Sequence, residues 1–138
     1  MLKDAMGGYR GTATEISRII FEDPDNAEAY YNRGNARSSC DDYEGAVKDY
    51  TMAINLGLRF REAIAAYGNR GISKMRSGDL DGAIDDFSEI IARKPSNKRL
   101  LSAAYQNRAL VKEQKGDSEG ARGDRKIALV LSPDISKQ

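Results

Sequence analysis

One block of sequence recurs three times, and that recurrence limits the fold more than any single residue does. AYYNRGNARSSCDDYEGAVKDYTMAI begins at Ala29, AYGNRGISKMRSGDLDGAIDDFSEII at Ala66 and AYQNRALVKEQKGDSEGARGDRKIAL at Ala104. The starts lie 37 and 38 residues apart, and the blocks align without an internal gap. Coincident columns include Tyr30/Tyr67/Tyr105, Asn32/Asn69/Asn107, Arg33/Arg70/Arg108, Asp42/Asp79/Asp117, Gly45/Gly82/Gly120 and Asp49/Asp86/Asp124. A fixed period of this length belongs to chains built of stacked units, each of which buries its apolar face only against its neighbours.

Each unit reads as two helices. In the second, Tyr67, Gly71, Ile72 and Met75 form one helical stripe, and Ala83, Ile84, Phe87, Ile90 and Ile91 form another. Ser77-Gly78-Asp79 breaks the chain between them; Asp79 is placed to cap the following helix, and Asp81 in its first turn suits the helix dipole. Gly82 falls inside that helix, where glycine costs about 1 kcal/mol against alanine. The same cost recurs at Gly45 and Gly120, which predicts close backbone approach between paired helices. Arg33, Arg70 and Arg108 each stand sixteen residues before Asp49, Asp86 and Asp124, a spacing that predicts an ion pair within each unit.

Y-x-N-R-G followed by G-D-x-x-G-A-I-x-D-F and a proline, from Tyr67 to Pro95, resembles the tetratricopeptide repeat, and the resemblance extends over residues 27–133. It implies an all-α fold, an α-solenoid of about seven helices in antiparallel pairs wound as a right-handed superhelix. The single domain, 1–138, then divides into an N-terminal half repeat (1–26) and full repeats at 27–60, 61–97 and 98–138. Two departures stand out. Extra residues at Arg61–Ala63 and Lys98–Leu101 should lengthen the second and third leading helices, and Leu58 replaces the proline found at Pro95 and Pro133. GTATEISRIIFEDP fits the second helix of a half repeat, with residues 1–8 too short and glycine-containing to supply the first. Either that helix caps the stack alone or the chain belongs to a longer array. At the other end, Arg122 and Arg125 replace the apolar pattern of Val47–Tyr50 and Ile84–Phe87, as a polar outer face would require.

Composition narrows the chemistry. The chain has no histidine and one cysteine, Cys40, so histidine-based triads, most catalytic zinc sites, disulfide frameworks and cysteine metal clusters are excluded. Asp79-Leu80-Asp81-Gly82 does not match an EF-hand, because the twelfth residue is Ile90. The 22 basic and 21 acidic residues nearly balance, giving no reason to expect nucleic acid or membrane as partner. No metal, cofactor or enzymatic activity is expected. Without a leader-like or membrane-spanning run the expected compartment is the cytoplasm, or the periplasm if the chain is part of a longer protein.

The resemblance further implies that the leading helices line a concave groove that binds protein segments. Groove candidates are Tyr31, Asn32, Asn35 and Ser38 in the first unit, and Asn69, Ile72 and Arg76 in the second. The third supplies Asn107, Leu110, Glu113 and Gln114. Asn32, Asn69 and Asn107 could grip a peptide main chain, since an amide both donates and accepts, or could only bond a neighbouring helix. Chaperone-tail binding is rejected: the cations it needs are replaced by Tyr31, Ala103 and Asn107. The expected function is thus a non-enzymatic scaffold holding an extended peptide of an unidentified protein partner. The alternative is self-assembly, as a homodimer or array, through Ile16, Ile19, Ile20 and Phe21 of the first helix.

Overall fold

The computed structural model describes residues 5–133, with side chains from Thr12 onward. Seven helices follow one another: α1 (Ala5–Glu22), α2 (Ala27–Ser39), α3 (Tyr43–Leu56), α4 (Phe60–Ser77), α5 (Leu80–Arg93), α6 (Lys98–Gln114) and α7 (Ser118–Leu131). The fold is an all-α solenoid. Each helix packs on the next, so α2 and α3, α4 and α5, and α6 and α7 are hairpins in series.

The turns follow from their residues. Asp42, Asp79 and Asp117 cap α3, α5 and α7, each carboxylate accepting the N–H of the glycine three residues on, at 3.0, 2.9 and 2.9 Å. Asn26 and Asn97 do the same for α2 and α6. Gly78, at φ 96°, ends α4 in the left-handed region where other residues are strained. The extra residues of the second and third units enter their leading helices: α4 and α6 have 18 and 17 residues against 13 in α2.

Two expectations need correction. Gly45, Gly82 and Gly120 do not admit a neighbouring helix; a Cβ there would lie 2.3, 2.2 and 2.2 Å from the capping aspartate's own Oδ2. The glycine makes room for the cap. The close approach between paired helices occurs instead at Gly34 and Gly71, where a Cβ would meet the rings of Tyr50 and Phe87 at 2.8 and 2.9 Å. The third unit has Arg125 in the ring's place, and there Ala109 is accommodated. Secondly, the described residues before Gly11 supply no separate helix, as expected, and extend α1 back to Ala5, because adding turns to a formed helix is far easier than nucleating one; what needs correction is the single uncovered apolar face expected of α1. Its apolar residues separate: Ile20 is buried and Ile16 packs beside it against Ala29 and Tyr30, whereas Ile19 and Phe21 face solvent.

The core runs along the solenoid rather than around one centre. Ile64, Ala83, Phe87, Ile90, Ala104 and Val111 form one cluster joining α4, α5 and α6; Ile20, Ala29, Tyr30 and Ala53 form a second joining α1, α2 and α3. Ser73 lies in the column of Ala36 and Val111, fully buried with its hydroxyl unpartnered.

Leading helix α2 touches α4, and α4 touches α6, whereas no two of α1, α3, α5 and α7 touch among the described residues. The leading helices therefore crowd the inner side of the curve and the trailing helices spread on the outer side. That asymmetry fixes which surface is concave.

Candidate functional site

Between the layers each unit carries the same charged cluster. Arg33 grips Asp49 through Nε and Nη2 at 2.9 and 2.8 Å, Arg70 grips Asp86 at 2.9 and 2.7 Å, and Arg108 grips Asp124 at 2.9 and 2.8 Å. These are the ion pairs that the sixteen-residue spacing predicted. A second cation four residues on, Arg37, Lys74 or Lys112, reaches the same carboxylate at 3.1, 3.3 and 3.0 Å. The remaining guanidinium nitrogen donates to a hydroxyl of the preceding trailing helix: Ser17, Thr51 and Ser88 at 3.1, 3.0 and 3.1 Å. Each guanidinium also sits over its own unit's Tyr30, Tyr67 or Tyr105 ring.

The arrangement decides the protonation states. Burial opposes charge on Arg70, but the hydrogen bonds and charge of Asp86 outweigh it and hold the guanidinium above its ordinary pKa. Arg33 and Arg108 are raised too, there chiefly by the hydrogen bonds to their aspartates. Burial pushes the Asp124 carboxyl up, yet bonds from Arg108 and Lys112 leave it below the ordinary value. One side chain thus ties both helices of its unit and the unit before it. The hydroxyl column was missed, although Ser17, Thr51 and Ser88 stand at equivalent repeat positions in the sequence. The second cation, four residues after each arginine, was equally legible.

The concave surface is built differently. Asn69 Nδ2 donates to Asn35 Oδ1 at 3.1 Å and to Tyr31 Oη at 3.3 Å, and Tyr50 Oη donates to the same Asn35 Oδ1 at 2.6 Å. The Tyr31 and Tyr50 rings lie 5.9 Å apart. Burial raises the Tyr50 phenol well above its usual range, so it stays a neutral donor. Two depressions flank Asn35. One, of about 350 Å³ between α1 and α2, is bordered by Thr12, Ile16, Asn32, Asn35, Ala36 and Ser39. The other, of about 240 Å³ between α2 and α4, is bordered by Asn35, Ser38, Ser39, Tyr50, Asn69 and Ile72. Among the described residues, no charged side chain lines either.

The structure thus brings Asn32, Asn35, Ser38, Asn69 and Ile72 together, with Tyr31 bonded behind them. Asn107, Leu110 and Gln114 lie outside both depressions, and Leu110 is exposed on α6. Arg76 is drawn to the edge, donating to Tyr43 Oη at 3.2 Å, and Glu113 pairs with Arg125 at 2.8 Å. Among the three aligned asparagines, Asn69 bonds a neighbouring helix, whereas Asn32 and Asn107 make no side-chain hydrogen bond among the described residues. The sequence pattern marks Tyr50 only as packing, because its hydroxyl is invisible to a pattern that counts apolar positions.

Stacked hairpins with a continuous inner face of leading helices define a helical-repeat scaffold for protein–protein interaction. The tetratricopeptide repeat profile matches residues 27–56, the first hairpin. A crystal structure of MamA superposes with a TM-score of 0.81 at 27% identity, covering 96% of this chain and 73% of that one. A second MamA structure gives 0.80 at 27% identity, covering 95% and 68%. BtubC from P. vanneervenii, at 19% identity and a TM-score of 0.67 over 96% of this chain and 57% of that one, shares the fold. No curated protein sequence matches the chain. The first hairpin is thus a tetratricopeptide repeat, a module whose proteins are in general non-enzymatic scaffolds, and over nearly its whole length the chain has the fold of MamA.

Proposed function

We propose that the protein is a scaffold that holds an extended segment of a partner protein on its concave face, in the N-terminal half of the solenoid. The observation that carries this reading is the pair of adjoining depressions on either side of Asn35, bordered by side chains of α1 to α4 with no charged one among the described residues. Such sites combine apolar walls with a few polar groups that orient the ligand. Asn107, Leu110 and Gln114 stand further along the same face, where a longer segment would run.

Ser39 is exposed and borders both depressions, so Ser39→Arg is expected to block them without disturbing the core. Peptides selected from a random displayed library on the wild type should lose binding to Ser39→Arg and keep it for Asn55→Arg on the outer helix α3. Equal binding to both variants would move the site elsewhere.

A second reading, self-association, is favoured by Phe21, which is 87% exposed beside Ile19. Ile16 cannot test it, being packed against α2. Phe21→Ser should shift a concentration-dependent dimer to monomer in sedimentation velocity; a wild type that stays monomeric across the range removes this reading.

A further inference from the structure

Asn35, Asn69, Tyr31 and Tyr50 form one hydrogen-bonded group, and its geometry constrains more than the two amides alone. The Asn69 amide faces Asn35 nitrogen to oxygen, at 3.1 Å. Asn69 Nδ2 donates to both Tyr31 and Asn35, and its Oδ1 makes no hydrogen bond among the described residues. Asn35 is the reverse: Oδ1 accepts twice, and the N–H₂ makes no hydrogen bond among the described residues. An isolated asparagine can present either end of its amide to a ligand. Here, turning the Asn35 amide would set donor against donor and turning the Asn69 amide would set acceptor against acceptor, so the outward ends stay complementary, one donor beside one acceptor.

We propose that Tyr50 is a positioning residue: by donating to Asn35 it holds the two amides so that they bind the C=O and N–H of one residue in an extended, uncharged peptide segment. This rests on the concave face being the peptide site. In an extended chain the C=O and N–H of one residue point to the same edge, and successive side chains fall on opposite sides. The two depressions lie on opposite sides of Asn35, so consecutive side chains of the segment enter one each. The first offers Ile16 and Ala36 and suits an apolar residue; the second offers Ser38 and Ser39 and suits a small polar one. A charged side chain entering either would lose water with no counter-ion to replace it.

The second unit supplies the control. It has Phe87 where Tyr50 stands and Ile72 where Asn35 stands, so a phenyl ring in that slot is compatible with the fold and the amide pair belongs to the first junction alone. Tyr50→Phe therefore keeps the ring against Gly34 and deletes only the hydroxyl. Asn35→Asp keeps the acceptor for Tyr50 and Asn69 and replaces the open N–H₂ by an oxygen.

The test selects random displayed peptides on the wild type, then measures the enriched sequences as labelled synthetic peptides by fluorescence anisotropy. Expected are sequences uncharged at their centre, with about tenfold or greater loss of affinity for Tyr50→Phe and for Asn35→Asp. Circular dichroism of both variants should match the wild type, and N-methylation of the central peptide amide should also weaken binding. Peptides that bind both variants normally but fail on Ser39→Arg would overturn the amide pair and leave the peptide site standing. Enrichment of centrally charged sequences would overturn the uncharged occupant. Failure to enrich any peptide would overturn this inference and the peptide site together.

Discussion

Asp86→Ala is expected to destabilise the protein by about 3–5 kcal/mol, a fall in Tm on the order of 10 °C or more. The carboxylate is 2% exposed, and Arg70 and Lys74 converge on it from one helix of the same hairpin. Without it two cations remain beside the core with no counter-charge, and Arg70 loses the orientation that lets it reach Thr51 of the preceding unit. The loss therefore falls on the second hairpin and on its junction with the first. Removing the whole group, in Asp86→Ala with Arg70→Met and Lys74→Met, should restore much of the stability, because the cost lies in stranding charge. Urea denaturation of the single and triple variants measures both; a single variant within about 1 kcal/mol of wild type would show the cluster to be dispensable. The third unit adds a pH signature. With its folded-state pKa lowered, Asp124 stabilises the protein above the ordinary carboxylate range, and that contribution is lost as pH falls through the lowered value.

Phe87→Ala should cost a similar amount, about 3–5 kcal/mol, through loss of packing rather than loss of charge. The ring is fully buried in the cluster joining α4, α5 and α6, and it lies against Gly71 so closely that no side chain fits between. Truncation opens a cavity at the place where the second and third hairpins share their core. The complementary change, Gly71→Ala, overpacks the same contact and should cost about 1–3 kcal/mol, with partial recovery when combined with Phe87→Leu. Equilibrium denaturation of the three variants checks the series. If Phe87→Ala melts like the wild type, the cluster does not couple the hairpins.

The contrast between Phe87 and Phe21 shows what a repeat pattern can and cannot convey. Both stand in helical apolar stripes, yet one is fully buried and the other 87% exposed. Burial in a solenoid depends on whether a neighbouring unit lies over the residue, and a helical period carries only the facing direction. The same limit applied to Gly82: its recurrence was plain, but the partner it accommodates is the carboxylate three residues earlier, a local contact that resembles a tertiary one at the level of sequence.

The charged cluster was legible because both partners repeat. Arg33/Asp49, Arg70/Asp86 and Arg108/Asp124 hold one spacing through three units, so one geometry had to satisfy all three, and the fold of stacked hairpins followed from the same columns. The concave amide group occurs once, at the first junction, from residues 15 to 38 apart, and it uses the hydroxyl of the groove candidate Tyr31 together with that of Tyr50, which a pattern of apolar positions counts as packing. What repeats is readable from residue order alone: helices, caps, turn glycines and the ion pair within each hairpin, because local hydrogen bonding and periodic burial act identically on identical columns. What occurs once emerges from the packing of neighbouring hairpins: which face of α1 is covered, and how Tyr50 and Asn69 meet Asn35. Those contacts depend on the rotation and spacing between neighbouring hairpins, which no single column encodes.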